Sequence, residues 1–350
     1  MTILTIDGSH GEGGGQVLRT ALTLSAVTGQ PVQVTRIRAN RSKPGLRPQH
    51  LTAVRAAAAI CAAELTGADL GSQEITFAPQ APPQAGTYHF DVADAAQGGS
   101  AGAVTLVLQT ILLPLALAAG SSRVTLRGGT TVPMSPPSLY IEKVYLPTLF
   151  DMGIRARMTH RFWGFYPQGG GEVTVEISGS ATLRPIALTE RGDLERVDGV
   201  AFVSNLPSHI PQRMSSRAAA LLRDGTFSVQ IEPRHVTAPG IGAGIVLFAR
   251  YTGAVAGFDA LGRKRLPSET VAEMAVDRLL EHHRTLAAVD PHLADQLVLP
   301  FALAGGASEA TISTVTPHLL TNVWVAGHFN VPTLGVTGEV GQPGHLAVMA

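Results

Sequence analysis

The chain contains 350 residues, of which 45% are hydrophobic and 15% charged, and its formal net charge is zero. This composition excludes an intrinsically disordered chain, and the zero net charge means that any nucleic-acid binding must rest on a local patch. The single cysteine, Cys61, excludes an internal disulfide, and with no targeting or membrane-spanning segment predicted we expect a cytoplasmic protein.

The first part of the chain is predicted to alternate strands and helices. A glycine-rich loop joins the first strand to the first helix, and a basic loop joins the second strand to an Ala-rich helix that starts near Pro48. Two strands then complete the unit. The predicted order is β-α-β-α-β-β, over residues 3–7, 16–28, 32–38, 48–64, 74–78 and 88–92.

Similar units are predicted twice more along the chain. Their elements fall at 102–118, 123–127, 139–151, 155–159 and 172–177, and at 293–303, 310–315, 317–329, 333–337 and 345–348. In each copy a proline stands just before the Leu at the start of the second helix, at Pro48, Pro137 and Pro317. Repeats of about 70–90 residues are too long for a solenoid. We therefore predict an α/β (α+β) fold of three βαβαββ modules around a pseudo-threefold axis.

A further segment separates the second and third copies. It begins with a charged run and contains predicted strands near 199–203, 226–231 and 245–251, with helices after Pro211 and from Ser268. Its length suits a small domain. We predict a large catalytic domain of residues 1–184 and 290–350, interrupted by an inserted α/β domain at 185–289.

The start of the last helix carries the first candidate for chemistry. Thr316 is predicted to cap this helix and Pro317 to be its first residue, which places His318 in the first turn. Free backbone N–H groups and the helix dipole favour anions there and disfavour imidazolium. His318 is thus either an incidental helix-start residue or a neutral imidazole that acts as a nucleophile beside a phosphate.

The glycine-rich loop of residues 8–15 is the second candidate. Glycines let a backbone approach a ligand closely, but the loop has neither the Walker nor the Rossmann spacing, so a tight structural turn and a phosphate site both fit it. Glu12 is either a helix-start anion or a ligand of a divalent metal. Arg19, in the following helix, either points toward the same place or lies on the surface.

The third candidate is a basic loop without acidic residues. Two prolines and a glycine stiffen it, and it leads into Gln49 at one of the matched helix starts. A stiff arginine-rich loop suits bidentate phosphate contacts, although a solvated surface loop is the alternative. Its cations are Arg36, Arg38, Arg41, Lys43 and Arg47.

Two further helices carry polar residues in apolar surroundings. Gln109 lies within a helix that is otherwise apolar, where it either satisfies backbone groups or faces a ligand. Asp295 and Gln296 lie near the start of the matching helix in the third copy, where an acidic residue is ordinarily a cap or dipole residue.

Five motifs in this order together resemble the RNA 3'-terminal phosphate cyclases. They span nearly the whole chain, at residues 7–19, 37–51, 105–109, 292–297 and 318–322. The resemblance implies a fold of three βαβαββ units with an inserted domain, in agreement with the repeats. It also implies an enzyme that uses ATP and a divalent metal, Mg or Mn, to convert an RNA 3'-terminal phosphate into a 2',3'-cyclic phosphate.

The resemblance also implies roles for individual residues. His318 would become adenylylated and then transfer AMP to the RNA end, and Glu12 would bind the metal. The RNA or phosphate-binding residues would be Arg19, Arg38, Arg41 and Gln49. The nucleotide-binding residues would be Gln109, Pro133, His292, Leu293, Ala294, Asp295 and Gln296.

The chain also departs from the family pattern. His292 stands where family members often have Tyr, and the motif at 129–133 lacks acidic residues often found there. A related branch acts in ribosomal RNA maturation without the active histidine, and His318 argues against that branch. Two alternatives stay open at this point: a non-catalytic RNA-processing scaffold of the same fold, and a small-molecule transferase on a similar repeat fold.

Overall fold

The computed structural model describes residues 2–96, 99–223 and 227–349 and shows a mixed α+β architecture. Its first sheet has the order β1-β2-β4-β3, in which β1 and β2 are parallel and the other pairs antiparallel. The strands are β1 (Leu4–Asp7), β2 (Val32–Thr35), β3 (Glu64–Thr66) and β4 (Ile75–Ala78). Helices α1 (Gln16–Thr28) and α2 (Pro48–Cys61) connect them, and Pro48 is the first residue of α2 as predicted.

The second sheet corrects the sequence prediction for the strand near Tyr88. This strand, β5 (Thr87–Asp91), was predicted to close the first unit, but it pairs in parallel with β6 (Ser122–Gly128). The sheet order is β5-β6-β8-β7, with β7 at Ala156–Phe162 and β8 at Gly171–Ile177. Its helical elements are a 3-10 turn at Val92–Ala95, α3 (Val104–Leu117), α4 (Ser138–Tyr140), a π-helical turn at Ile141–Tyr145 and α5 (Leu146–Asp151).

The segment predicted as an inserted domain forms a sheet of its own. After the short β9 (Ala187–Leu188), the strands β10 (Leu194–Ser204), β11 (Ser228–His235), β12 (Gly242–Tyr251) and β13 (Val255–Leu261) pair in the order β11-β10-β12-β13. Helices α6 (His209–Leu222) and α7 (Ser268–Thr285) pack against it. The prediction missed β13, and the predicted start of β11 at Thr226 lies outside the described residues.

The last sheet contains strands that precede and strands that follow the β10–β13 sheet in the sequence. Its order is β15-β16-β14-β9, with β14 (Glu309–Ile312), β15 (Leu334–Thr337) and β16 (Gly344–Val348). Helices α8 (Pro291–Leu303) and α9 (Pro317–Ala326) belong to the same part of the chain. Because β9 pairs with β14, a strand that the boundary at 185 assigned to the inserted domain lies in this sheet. The threefold axis and the domain boundaries stay predictions.

Packing brings the helices that carry the candidate residues together. α1 packs against α2, α3 and α9, and α9 packs against α8. A continuous apolar core links these helices to their sheets, while a second core fills the space between α6, α7 and the β10–β13 sheet. Burial of aliphatic side chains therefore fixes the helix starts relative to one another. Within the described residues, none of the helices has both the length and the apolar character needed to cross a bilayer.

Candidate active site

A cavity of about 1200 Å³ lies where the starts of α1, α2 and α9 meet α3 and α8. Most of the residues singled out in the sequence line it, although they come from distant parts of the chain. They are Glu12, Arg19, Arg38, Arg41, Gln49, Gln109, Pro133, His292, Asp295, Gln296 and His318. The fold therefore brings these residues to one cavity.

Leu293 and Ala294 do not share this location. Both side chains are packed in the main hydrophobic core, with 2% and 0% of their surfaces exposed, and neither lines the cavity. The neighbouring positions His292, Asp295 and Gln296 face the cavity instead. The side chains of Leu293 and Ala294 therefore do not face the cavity, and a nucleotide contact through these two residues stays a prediction.

His318 is held at the start of α9 by a carboxylate from the glycine loop. Thr316 caps the helix, as predicted, because its Oγ1 accepts a hydrogen bond from the Leu319 N–H at 2.9 Å. His318 Nδ1 lies 2.9 Å from Glu12 Oε1, and Arg41 donates to Glu12 Oε2 at 3.0 Å. A carboxylate on this side of the ring favours a proton on Nδ1, so that in the neutral ring Nε2 is the nitrogen with the lone pair.

The glycines of the loop make this arrangement possible. A Cβ atom at Gly14 would lie 2.5 Å from Glu12 Oε1 and 2.9 Å from Arg41 Nη2. Any larger residue at this position would displace the carboxylate from His318 or from Arg41. The loop is thus more than a tight turn, because its backbone makes room for a charged side chain at the helix start.

The pKa shift of His318 has the opposite direction to the one that its position at a helix start predicts. The contact with Glu12 raises the pKa of His318 above its ordinary value, although burial and Arg19 act in the opposite direction. The expected destabilisation of imidazolium at this helix start is therefore outweighed by the Glu12 carboxylate. Burial raises the pKa of Glu12, but the interactions with His318 and Arg41 outweigh it and lower the pKa below 4.5.

We expect Glu12→Gln to lower the pKa of His318. The neutral amide removes the charge that favours imidazolium, whereas burial and Arg19 continue to oppose it. At a pH near neutrality, a smaller fraction of His318 is then protonated. The measurement is an NMR titration of the histidine ring protons in the metal-free, nucleotide-free protein. An unchanged or higher pKa would contradict the assigned contact, and the exposed His89 provides an internal reference.

Basic side chains line the wall next to Glu12. Arg19 is only 8% exposed, and its Nε has no hydrogen-bond partner among the described residues. Burial lowers the pKa of Arg19 to about 10, and Glu12 partly offsets this. Arg38 is tied to the carbonyl oxygens of Lys43 and Gly45 at 2.7 and 2.9 Å, so the basic loop is held in one conformation. A buried guanidinium with a free donor is a suitable partner for an anion.

His50 is a site residue that the sequence interpretation did not single out. It is 5% exposed and lines the cavity beside Gly15, where a Cβ atom would lie 2.3 Å from its Nε2. Burial lowers its pKa well below 6.5, and Arg19, Arg38 and Arg47 add to this effect. His50 is therefore a neutral group among the cations. Its only signal in the sequence was its position beside Gln49 at a matched helix start.

A buried amide connects the three helices around His318. Asn322, 1% exposed on α9, accepts hydrogen bonds from Gln16 Nε2 at 2.9 Å and Thr20 Oγ1 at 2.6 Å on α1. Its own Nδ2 donates to the carbonyl oxygen of Asp295 on α8 at 2.8 Å. Asn322 therefore fixes the relative position of the elements that carry Arg19, Asp295 and His318.

Asp295 faces the cavity and does not cap its helix. The α8 cap is the fully buried Asp290, whose Oδ1 accepts from the N–H groups of His292 and Leu293. Asp295 instead accepts a hydrogen bond from the Thr316 hydroxyl. Burial raises the pKa of Asp295 to about 6, against the lowering effects of Thr316 and His318. An ionisable group with such a pKa beside His318 is typical of a functional site.

The segment of β10–β13 and α7 also contributes to the cavity, which the sequence interpretation missed. Phe258 and Asp259 from β13 and Arg278 from α7 are among the residues that line it. Burial raises the pKa of Asp259. β13 was not predicted at all, and the helix that carries Arg278 was predicted without any signal that it borders the site.

The side chains described above provide few ligands for a divalent metal. Among the described ranges, no group of three or more His, Cys, Asp or Glu residues is arranged to hold an ion. Both carboxylate oxygens of Glu12 already contact Arg41 and His318. Mg²⁺ is, however, commonly bound by one or two carboxylates together with phosphate and water. Metal binding by Glu12 therefore stays a prediction from the sequence.

Comparison with known proteins agrees with this site. The model of the RNA 3'-terminal phosphate cyclase family matches residues 10–334. The RNA 3'-terminal phosphate cyclase of Nostoc punctiforme (strain ATCC 29133 / PCC 73102) is 53% identical over 334 residues, covering 95% of this chain and 96% of that protein. The cyclase of Methylococcus capsulatus (strain ATCC 33009 / NCIMB 11132 / Bath) is 52% identical, covering 96% and 93%. The cyclase of Thermococcus gammatolerans (strain DSM 15229 / JCM 11827 / EJ3) is 40% identical, covering 100% and 98%.

These similarities extend across the whole site, from the glycine loop to α9. The chain is therefore an enzyme. It belongs to the RNA 3'-terminal phosphate cyclase family.

Proposed function

We propose that this enzyme uses ATP to convert an RNA 3'-terminal phosphate into a 2',3'-cyclic phosphate through a covalent AMP adduct of His318. The observation that carries the proposal is the contact of His318 Nδ1 with Glu12 at 2.9 Å in a cavity rich in arginine. This contact leaves Nε2 free as a nucleophile. Family membership supports the reaction class, and the cationic wall supports a phosphate-bearing substrate.

In the first step, Nε2 of neutral His318 attacks the α-phosphorus of ATP. The N–P bond forms as the bond to pyrophosphate breaks, and Nδ1 keeps its proton. The resulting positive charge on the ring lies against the Glu12 carboxylate, which stabilises it. Buried Arg19 and the basic loop favour the negative charge that develops on the departing pyrophosphate. A bound divalent cation would add Lewis-acid stabilisation of the same phosphates.

In the second step AMP is transferred from His318 to the RNA 3'-phosphate, and in the third step AMP leaves the RNA as the ring closes. An oxygen of the RNA 3'-phosphate attacks the phosphorus of the adduct, and His318 leaves as a neutral imidazole. The adjacent 2'-hydroxyl then attacks the RNA phosphorus, so that AMP leaves and the ring closes. This closure benefits from proximity because both groups belong to one ribose. The attacking hydroxyl is also the group that distinguishes RNA from DNA.

The lining residues divide into two proposed binding regions. The nucleotide would contact Gln109, Pro133, His292, Asp295 and Gln296. The RNA phosphate would contact Arg19, Arg38, Arg41 and Gln49, although Gln49 Oε1 already accepts a hydrogen bond from the Ala103 N–H at 2.9 Å. Glu12 is proposed as the one protein ligand of Mg²⁺ or Mn²⁺.

The test uses α-labelled ATP, magnesium and short RNAs with different ends. Without RNA, we expect the protein to acquire an acid-labile AMP label. RNA with a 3'-phosphate should discharge this label and gain a phosphatase-resistant cyclic end, whereas RNA with a 3'-hydroxyl should do neither. A terminal 2'-O-methyl ribose should stop the reaction at the RNA adenylate, because the attacking hydroxyl is blocked. RNA binding without any protein label would overturn the proposal in favour of a non-catalytic scaffold.

A further inference from the structure

An aromatic stack lies outside the cavity, where the glycine loop meets α9. The rings of His10 and Trp324 are parallel, with centroids 3.7 Å apart and an angle of 5° between their planes. His328 contacts the same indole edge-on at 4.4 Å, and its Nδ1 donates to the Trp324 carbonyl oxygen at 2.8 Å. His10 is exposed, so this ring can accept a further planar group.

The stack and the proposed nucleophile are formed by the same two elements, the glycine-rich loop and α9. Three successive loop residues approach α9 at positions spaced by three: His10 stacks on Trp324, Gly11 approaches Thr321, and Glu12 contacts His318. A Cβ atom at Gly11 would lie 2.5 Å from Thr321 Oγ1, so the loop follows the helix closely. Trp324 lies six positions after His318 in the helix, which corresponds to about 9 Å along the axis.

The loop that carries His10 also borders the basic loop. The Asn40 side chain donates to the Ser9 carbonyl oxygen at 3.0 Å, which joins the two loops. Lys43 and Arg47 of the basic loop are exposed. An exposed aromatic ring and exposed cations on two adjoining loops form the combination that binds single-stranded nucleic acids, with stacking for bases and cations for phosphates.

We propose that His10, supported by Trp324 and His328, stacks with an RNA base near the 3' end. The inference rests on the proposed function, because it assumes that the terminal phosphate reacts at His318. The rise of about 9 Å along α9 from His318 to Trp324 is of the same order as two or three steps of a stacked strand, which rises about 3.4 Å per nucleotide. The partner is therefore the base of the second or third nucleotide from the end, and stacking does not depend on its identity.

The experiment combines protein variants with changes in the RNA. We expect His10→Ala to lower kcat/KM for a 3'-phosphorylated single-stranded RNA about 5- to 150-fold, which corresponds to the loss of one base–aromatic stack. With RNA that is abasic at the second and third positions, the same substitution should change kcat/KM by less than about twofold. His10→Phe keeps a planar ring and should stay close to the unsubstituted enzyme. His89→Ala, an exposed histidine on β5, is the matched control.

A purely structural role for the stack predicts different results. If the ring only holds the loop that carries Glu12 in place, His10→Ala slows protein labelling by ATP without RNA as much as it slows cyclisation. The decrease in kcat/KM is then also equal for intact and abasic RNA. Either outcome overturns the inference. Binding of the same RNAs without ATP separates the two proposals. His10-dependent binding without protein labelling would refute the proposed reaction alone, whereas normal cyclisation by His10→Ala would refute the stacking site alone.

Discussion

Replacement of His318 by Asn should abolish covalent labelling by ATP and lower cyclisation by more than about a thousandfold. Asn keeps a polar group near Glu12 but offers no ring nitrogen that can attack phosphorus. The ion pair with Glu12 is partly exposed, so its loss should change the free energy of unfolding by less than about 1 kcal/mol. The measurements are the yield of labelled protein, the rate of RNA end cyclisation and denaturant unfolding.

A matched control is available at the start of another helix. His209 is the first residue of α6 and is exposed, far along the chain from the cavity residues. His209→Asn should retain both labelling and cyclisation. If His318→Asn still formed an acid-labile AMP adduct, another residue would be the nucleophile. If it lost activity together with its cooperative unfolding transition, the loss would reflect misfolding.

The order of strands and helices followed largely from the sequence because its signals are local. The cap at Thr316, the proline at position 317 and the apolar periodicity that follows define the start of α9 within a few residues. The partner of β5 had no such signal. Strand pairing is a long-range choice, and the strand at Thr87–Asp91 joins the sheet that follows it and not the one before.

The candidate site shows the same division between local and distant information. Helix periodicity already separates His292, Asp295 and Gln296 from Leu293 and Ala294, since residues three and four apart share a face. The assignment of residues 292–296 to nucleotide binding as one continuous segment does not take this difference between helix faces into account. The raised pKa of His318 was not predictable in this way, because it depends on Glu12, which lies far away in the sequence.

Asn322→Leu should lower both stability and activity, because one side chain makes three hydrogen bonds between α1, α8 and α9. Leu has a similar branched shape but leaves Gln16 Nε2, the Thr20 hydroxyl and the Asp295 carbonyl oxygen without this partner. Buried polar groups that lose their partner cost about 1–3 kcal/mol each, and partial rearrangement reduces the sum. We expect a loss of about 2–4 kcal/mol in the free energy of unfolding, measured by denaturant titration.

Asn322→Leu should affect the reaction through the relative position of the helices, because Asn322 itself takes no part in the proposed chemical steps. Asn322 does not line the cavity, yet it sets the distance between the helices of Arg19 and His318. A displacement of about 1 Å between two helices that carry reacting groups can lower the rate about a hundredfold. We therefore expect labelling by ATP to slow about 10- to 100-fold at a temperature where the variant is still folded. Leu320→Ala, on the exposed side of the same helix, should change stability by less than about 0.5 kcal/mol and leave labelling intact. Equal effects of the two substitutions would mean that α9 tolerates the loss of the amide, and that packing alone positions His318.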